Sequence, residues 1–168
     1  MKRLLLVRHA KSDWSDGSLR DFDRPLNRRG EHDAPRMAAY VAGQDLRPTF
    51  LLASPAARTY ATARLFAAEF GIAENDIALR QDLYECHTAE LLTAITELPD
   101  LHHTAALFAH NPATTSAVSK FADEYVANVA TCGVALITAD TDTWKDMTPK
   151  RADLRHLWQP KEVLAAYA

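Results

Sequence analysis

Short runs of apolar residues recur along the chain, and between them lie segments whose apolar residues are spaced as in helices. A strand buried on both faces is apolar at nearly every position, whereas a helix that covers a sheet is apolar along one stripe. The runs predict strands at residues 3–7, 50–53, 77–79, 104–109, 134–139 and 153–158. Because strands and helices alternate, we expect an α/β protein with helices packed on a central sheet.

Polar capping residues predict where two of the helices begin. Asn27 fits the N-cap of a helix that runs to about Val41, although Pro35 should bend or restart that helix. A second helix is predicted at residues 88–98. The negative charge of Glu90 in its first turn interacts favourably with the positive end of the helix dipole.

Proline supplies the start signal for two more helices. Ser54 is predicted to cap a helix whose first residue is Pro55, a position that proline tolerates. We expect this helix to face the sheet along an apolar stripe formed by Ala57, Ala61, Leu65 and Ala68. Asn111-Pro112 is predicted to open the helix that follows the strand at 104–109.

Composition adds limits to this picture. The 168 residues, of which 48% are hydrophobic and 24% charged, suit one globular domain spanning residues 1–168. A net charge of −3 predicts no binding to nucleic acid or to anionic membranes, so an anion site must be built locally from a few cations. Two cysteines without metal or redox spacing, and no apolar run of membrane-spanning or signal-peptide length, predict a cytoplasmic protein.

Basic side chains follow three of the predicted strands. Arg8 and His9 end the first strand, Arg58 follows the second through Ser54-Pro55, and His110 ends the strand at 104–109. Ligands of open α/β sheets bind outside the carboxyl ends of the strands, so these side chains should meet at one edge. Arginine matches phosphate oxygens with paired hydrogen bonds, and an imidazole is able to attack phosphorus, so the cluster predicts a phosphoryl-transfer site.

These residues belong to three motifs that occur in order along the chain: Val7-Arg8-His9-Ala10-Lys11-Ser12, Ser54-Pro55-Ala56-Ala57-Arg58-Thr59 and Phe108-Ala109-His110-Asn111-Pro112. Residues 21–27, 83–85 and 149–151 add shorter matches. With them the chain resembles the histidine phosphatase (phosphoglycerate-mutase-like) superfamily over nearly its whole length, and within it the SixA-like phosphohistidine phosphatases. The resemblance implies a three-layer α/β/α sandwich with a mixed, mostly parallel central sheet. It also implies catalysis without a metal or any other cofactor.

The resemblance assigns a role to each residue of the cluster. His9 would be the nucleophile that takes the phosphoryl group, and Arg8, Arg58 and His110 would hold that group. For His9 to attack, its reacting nitrogen must be neutral, and its other N–H must be held, often by a backbone carbonyl. Ala10 stands where the family has glycine, as in many SixA-like members.

The remaining assignments are less tightly constrained by the motifs. The resemblance makes Glu85 the candidate proton donor, whereas Asp13, Asp21 and Asp23 in the first loop are rival donors or loop-solvating carboxylates. Ser15 stands where mutase relatives have a phosphate-binding asparagine, and its hydroxyl would replace the amide. The other histidines show no metal-ligand spacing and are expected at the surface or in the core. Trp14 fits either the pocket mouth or the core.

The sequence thus predicts a phosphatase that acts through phospho-His9. Its substrate would be phosphohistidine on a protein or a small phosphorylated metabolite. Between Arg58 and Glu85 there is room for one helix and a short strand but for no large lid, and an open site favours a protein substrate. A phosphoglycerate-mutase-type phosphotransferase and a non-catalytic phosphoprotein-binding module are the alternatives. The first needs a closed site to protect its intermediate, and the second needs only the cations.

Overall fold

A computed structural model describes residues 1–167 of the chain. Its six strands are β1 (Lys2–Arg8), β2 (Phe50–Ala53), β3 (Ala78–Leu79), β4 (Thr104–Ala109), β5 (Val134–Ala139) and β6 (Asp153–Trp158). Its five helices are α1 (Arg28–Gly43), α2 (Ala57–Phe70), α3 (Thr88–Thr96), α4 (Ala113–Phe121) and α5 (Pro160–Val163). No helix in the described part of the chain is long and apolar enough to cross a membrane.

The six strands form one mixed sheet in the order β3-β2-β4-β1-β5-β6. Strands β3, β2, β4 and β1 run parallel to one another, whereas β5 is antiparallel to both β1 and β6. The parallel half brings the carboxyl ends of β1, β2 and β4 to the same edge. The predicted α/β fold with a mixed sheet is confirmed.

Side-chain alternation along the strands divides the core into two layers. In β1, Leu5 and Val7 pack on one face with residues of α1 and α2, whereas Leu4 and Leu6 pack on the other face with residues of α3 and α4. All four side chains are fully buried, as expected for a central strand covered on both sides. The helices therefore cover both faces of the sheet and form the three-layer sandwich that the sequence predicts.

The structure excludes one of the two alternatives for Pro35, and the predicted start of α2 needs correction. Helix α1 runs through Pro35 without a restart. Pro35 has no N–H to donate to the carbonyl of Glu31, one turn earlier in the helix. Glu31 is exposed. Helix α2 begins at Ala57 after an Ala56 cap, so Ser54 and Pro55 lie before it rather than within it.

The predicted stripe of α2 is also displaced around the helix. Ala57, Ala61 and Leu65 are only half-buried and Ala68 is exposed. The buried face instead carries Arg58, Thr59, Thr62, Ala63, Phe66, Ala67 and Phe70. The apolar pattern predicted the wrong face because the first turns of α2 bury polar side chains. These side chains belong to the site described next.

Candidate active site

Backbone hydrogen bonds fix the end of β1, where the first candidate residues lie. The His9 N–H donates to the Ala109 carbonyl at 3.1 Å, which ties β1 to the end of β4. On the other side, the N–H of Cys132 reaches the carbonyls of Arg8 and His9, each at 3.1 Å. The end of β4 and the turn before β5 therefore hold the peptide that carries His9 from both sides.

The His9 imidazole is held in one orientation. Its Nδ1 lies 2.8 Å from the carbonyl oxygen of Ala10, and since a carbonyl only accepts, Nδ1 carries the proton. In the neutral ring the lone pair is then on Nε2. The side chain is 8% exposed, and burial lowers the pKa of His9 to about 4. At neutral pH the structure therefore presents an unprotonated Nε2, the state that a nucleophile requires.

His110 faces His9 across the site, with ring centroids 5.3 Å apart. Its Nε2 lies 2.7 Å from the Ser54 hydroxyl and 3.1 Å from the Thr59 hydroxyl. Burial, with smaller electrostatic contributions from the neighbouring His9 and Arg58, lowers the pKa of His110 to about 3. Ser54 thus does not cap a helix as predicted but orients this imidazole.

Arg58 lies between the two imidazoles and is 6% exposed. Its Nε is 3.4 Å from His9 Nε2, and its Nη2 is 3.4 Å from His110 Nδ1. Guanidinium groups only donate, so both facing nitrogens accept, which agrees with a neutral His9 whose Nε2 carries the lone pair. These two contacts are long for hydrogen bonds, and the N–H groups that make them point into the site.

Arg8 brings a further cation to the same edge. Its Nη1 donates to the Val129 carbonyl at 2.9 Å, which holds the side chain along the rim. Its Nε is buried and has no partner among the described residues. Burial lowers the pKa of Arg8 from its ordinary value. A buried donor without an acceptor is costly, and an anion at this position would remove that cost.

These side chains line a cavity of about 300 Å³. The residues that surround it are Arg8, His9, Lys11, Ser12, Trp14, Arg24, Arg58, His110, Asn111 and Thr131. Four of them are arginine or lysine, and none of these described lining residues carries a carboxylate. The cavity therefore suits a small, doubly charged anion such as a phosphoryl group.

The other sequence candidates lie outside this cavity. Glu85 is exposed and lines a neighbouring cavity of about 550 Å³, which shares His110 and Asn111 with the first. Ser15 is exposed, and its N–H donates to the Asp13 carboxylate at 2.7 Å. The expected Ser15 contact to phosphate is not supported by this geometry, because Ser12 lines the cavity instead.

The candidate acids of the first loop also differ in whether they contact the site. Asp23 pairs with Arg20 at 2.8 Å, away from the imidazoles. Asp21 bonds directly to Arg58 through its carboxylate and its backbone carbonyl. Of the first-loop candidates Asp13, Asp21 and Asp23, only Asp21 thus contacts a member of the cluster.

Sequence reasoning missed several residues that support the site. The Thr62 hydroxyl accepts from the Ala10 N–H at 2.9 Å and donates to the Arg58 carbonyl at 2.7 Å, so it joins two of the motifs. A Cβ on Gly30 would lie 2.2 Å from the Lys11 carbonyl oxygen, so only glycine permits this close approach. Thr62 could have been found from its spacing in the sequence, since it lies one helical turn after Arg58.

Trp14 is the aromatic residue of the cavity mouth rather than of the core. Its side chain is 71% exposed, and the Arg24 guanidinium lies 3.4 Å from its ring centre. Arg24 itself is buried and donates to the Ser12 hydroxyl at 2.9 Å.

Within residues 1–167, no group of three or more His, Cys, Asp or Glu side chains could hold a metal ion.

A comparison with family models agrees with this geometry. The model of the histidine phosphatase superfamily (branch 1) matches residues 4–122. This range includes most of β1 and all of β2 to β4, and therefore all four residues of the cluster at the carboxyl edge.

Individual proteins show the same relation. An uncharacterized chloroplastic protein of Arabidopsis thaliana is 33% identical over 154 residues, which are 86% of this chain and 70% of that protein. The crystal structure of a candidate phosphohistidine phosphatase SixA from Agrobacterium tumefaciens is 26% identical, with a TM-score of 0.78 over 95% of this chain and 99% of that one. Because the plant relative is chloroplastic, the cytoplasmic location stays a prediction.

Two more distant structures share the fold. The protein histidine phosphatase SixA complexed with tungstate has a TM-score of 0.79 at 17% identity, over 95% of this chain and 98% of that one. A phosphoserine phosphatase mutant from Entamoeba histolytica, in complex with phosphoserine, has a TM-score of 0.67 at 13% identity, over 98% and 100%. At these identities the likeness concerns the fold alone.

Proposed function

The chain belongs to the histidine phosphatase superfamily, branch 1, and from this membership we propose that it is a phosphatase that works through a phospho-His9 intermediate. Its proposed substrate is phosphohistidine on a protein, with small phosphomonoesters as the second substrate class. The observation that carries the proposal is the neutral His9 Nε2 beside the inward N–H groups of Arg58. Nucleophile and electrostatic stabiliser are thus adjacent before the substrate arrives.

In the first step, the Nε2 lone pair of His9 attacks phosphorus. The bond from phosphorus to the leaving group breaks, and the leaving group takes that electron pair. Arg8 and Arg58 stabilise the charge on the transferred phosphoryl oxygens, which is the main task of a protein in phosphoryl transfer. His110 joins them once the bound phosphoryl anion favours a proton on its Nδ1. The Ala10 carbonyl stabilises the N–H of the ring as His9 gains positive character.

In the second step, water attacks the phosphorus of phospho-His9. The N–P bond breaks, its electron pair returns to Nε2, and inorganic phosphate leaves. A carboxylate that protonates the first leaving group is then suited to take a proton from the water. We propose Glu85 for both tasks, since its cavity adjoins the site through His110.

Access to the site supports a protein substrate. Only one helix, a two-residue strand and short turns lie between Arg58 and Glu85, so this segment contains no large lid. The second cavity continues outward from His110 along the loop that begins α3. A side chain carried by another protein has room to enter there, whereas small metabolites are usually enclosed.

We also propose that catalysis needs no metal. The cavity brings together Arg8, Lys11, Arg24 and Arg58, which supply the positive charge that a divalent ion would otherwise provide. Activity should survive prolonged chelation and fall with orthovanadate, a mimic of the trigonal-bipyramidal phosphoryl group. Loss of activity on chelation that a divalent ion restores would overturn this part of the proposal.

The test of the substrate class compares leaving groups. We would measure kcat/KM for a phosphohistidine protein, an aryl phosphate and an alkyl phosphate with the wild type and with Glu85→Gln. If Glu85 is the acid, its loss should hurt the alkyl ester most, because an alkoxide leaves poorly without a proton. Equal losses for all three substrates would exclude that role.

Two outcomes would favour other functions. Binding of phosphohistidine protein without turnover would identify a recognition module. Transfer of the phosphoryl group to a second metabolite faster than to water would identify a phosphotransferase.

A further inference from the structure

We propose that Asp21 is a positioning residue for Arg58 and not the proton donor of the reaction. This inference rests on the proposed function, because it describes how the same site holds its phosphate-binding arginine. It also removes one of the three first-loop carboxylates from the search for the acid.

Arg58 uses two different edges of its guanidinium group. Nη1 donates to the Asp21 carbonyl at 2.7 Å, and Nη2 donates to the Asp21 carboxylate at 3.0 Å. These contacts occupy the outer edge, which points away from the side chain's own stem. The inner edge, formed by Nε and Nη2, is the one directed at His9 and His110.

A guanidinium group is planar, so fixing one edge fixes the other. With Asp21 on the outer edge, the inner N–H groups can point only into the cavity between the imidazoles. A phosphoryl group bound to His9 Nε2 would meet this inner edge with two parallel hydrogen bonds. Asp21 therefore does not compete with the substrate for Arg58, since the two anions use adjacent edges, which share Nη2 but not the same N–H groups.

The Asp21 carboxylate is itself held in place. Arg24 donates to Oδ1 from Nη2 at 2.8 Å and from Nε at 3.2 Å. The Tyr84 hydroxyl donates to Oδ2 at 2.6 Å, across the site from another loop. Burial and Asp21 raise the pKa of Tyr84 to about 12, so this donor keeps its proton. A half-exposed carboxylate becomes rigid through this network, whereas an isolated surface ion pair would be mobile.

The same contacts make Asp21 a poor acid. The hydrogen bond from Tyr84, with those from Arg24 and Arg58, holds the pKa of Asp21 well below its ordinary value. At neutral pH the group is ionised and its oxygens accept hydrogen bonds. It has no proton to give to a leaving group.

The experiment is Asp21→Asn, with Asp23→Asn as the matched control from the same short turn. We expect Asp21→Asn to lower kcat about 10- to 100-fold by loosening Arg58, with KM changing little. The loss should be the same for alkyl, aryl and phosphohistidine substrates, because orientation does not depend on the leaving group. Asp23→Asn, which removes only the pairing with Arg20, should stay near wild type.

A double-mutant cycle separates positioning from a general structural role. In an Arg58→Lys background, which lacks the two edges of a guanidinium group, Asp21→Asn should lower kcat less than threefold. Full additivity of the two changes would overturn the proposal, and so would a loss concentrated on the alkyl substrate, which would make Asp21 the acid.

Orthovanadate affinity, measured by calorimetry, gives a readout that needs no turnover. We expect Asp21→Asn to weaken vanadate binding about as much as it lowers kcat. If the wild type hydrolyses no phosphorylated substrate, the proposed function fails, whereas unchanged vanadate binding in Asp21→Asn would overturn the Asp21 proposal by itself.

Discussion

Both ends of β1 carry a basic side chain with a buried nitrogen, and the two ends differ in what surrounds it. At the amino end, Lys2 is fully buried, and its Nζ donates to the carbonyls of Asp100 at 2.6 Å and His102 at 3.0 Å. The ring of Trp144 lies 5.5 Å from the same nitrogen. At the carboxyl end, Arg8 has a buried Nε without a partner among residues 1–167.

The difference shows which of the two buried charges is structural. At the amino end, the protein itself supplies the acceptors, and the indole N–H of Trp144 shares the His102 carbonyl at 2.9 Å. At the carboxyl end, the donors of Arg8 and Arg58 converge on a cavity with no carboxylate among its described lining residues. Buried donors without acceptors are kept where a ligand will satisfy them, so this end is arranged for an anion.

The strongest test of the comparison replaces one histidine at each end. His9→Ala removes the proposed nucleophile, and turnover should fall about 10⁴-fold or more. His102→Ala alters the amino end, where the imidazole lies 2.9 Å from the Thr49 hydroxyl, and should leave turnover near wild type.

Rapid quench with labelled substrate provides the direct measurement. The wild type should trap an acid-labile, base-stable phosphoenzyme, as expected of a phosphoramidate bond, and His9→Ala should trap none. A label that persists in His9→Ala would refute the assignment.

A smaller effect on turnover is expected from the residues that hold the phosphoryl group. Arg58→Ala and His110→Ala each remove a contact that strengthens in the transition state, so kcat should fall about 10²- to 10³-fold. Arg64→Ala is the matched control on α2, because Arg64 is exposed and pairs with Glu74 at 3.0 Å. Near-normal turnover in either site variant would remove that residue from the proposed site.

The amino end should respond in stability rather than in activity. Lys2→Ala removes a buried stem and leaves two carbonyls short of a donor, so the free energy of unfolding should fall by about 2–4 kcal/mol. Urea titration would measure the loss, and kcat per folded molecule should not change. The exposed Lys120 of α4 is the control, and its replacement by alanine should cost little. A fall in kcat with Lys2→Ala would show that the two ends are coupled.

The weakest effect concerns pH. The pKa values of His9 and His110 are lowered to about 4 and about 3, so below pH 6.5 the unfolded chain binds protons that the folded protein does not. Their contribution to stability is complete above pH 6.5 and is lost as pH falls towards 4. At pH 5 each of these two histidines should lower the free energy of unfolding by about 2 kcal/mol relative to pH 7.

Urea unfolding at pH 7 and pH 5 would test this expectation. The difference between the two pH values should shrink in His9→Gln and stay unchanged in His102→Gln. An equal difference in the wild type and His9→Gln would show that the folded protein accepts a proton on His9 without cost.

Much of the architecture was determined by the sequence alone. The strands at 50–53, 104–109, 134–139 and 153–158 were predicted with the bounds that the structure has. In β2, β4 and β5 the apolar run is informative because burial on both faces demands apolar residues at nearly every position, and that demand is local. Strand β6 is mostly exposed and mixes polar with apolar residues. The meeting of Arg8, His9, Arg58 and His110 was also predicted, since parallel strands bring their carboxyl ends to one edge.

The tertiary structure decided how these groups are oriented. The sequence could not tell that Ser12 rather than Ser15 lines the cavity, or that the buried face of α2 begins with Arg58 and Thr59. Nor could it assign Asp21 to the outer edge of Arg58, from which it is 37 positions away, or the inner edge to His110, 52 positions away. Propensity and capping act within a few residues, whereas these contacts depend on how distant segments pack. The packing of Ser54 and Thr59 against His110 also sets which nitrogen of that imidazole faces Arg58.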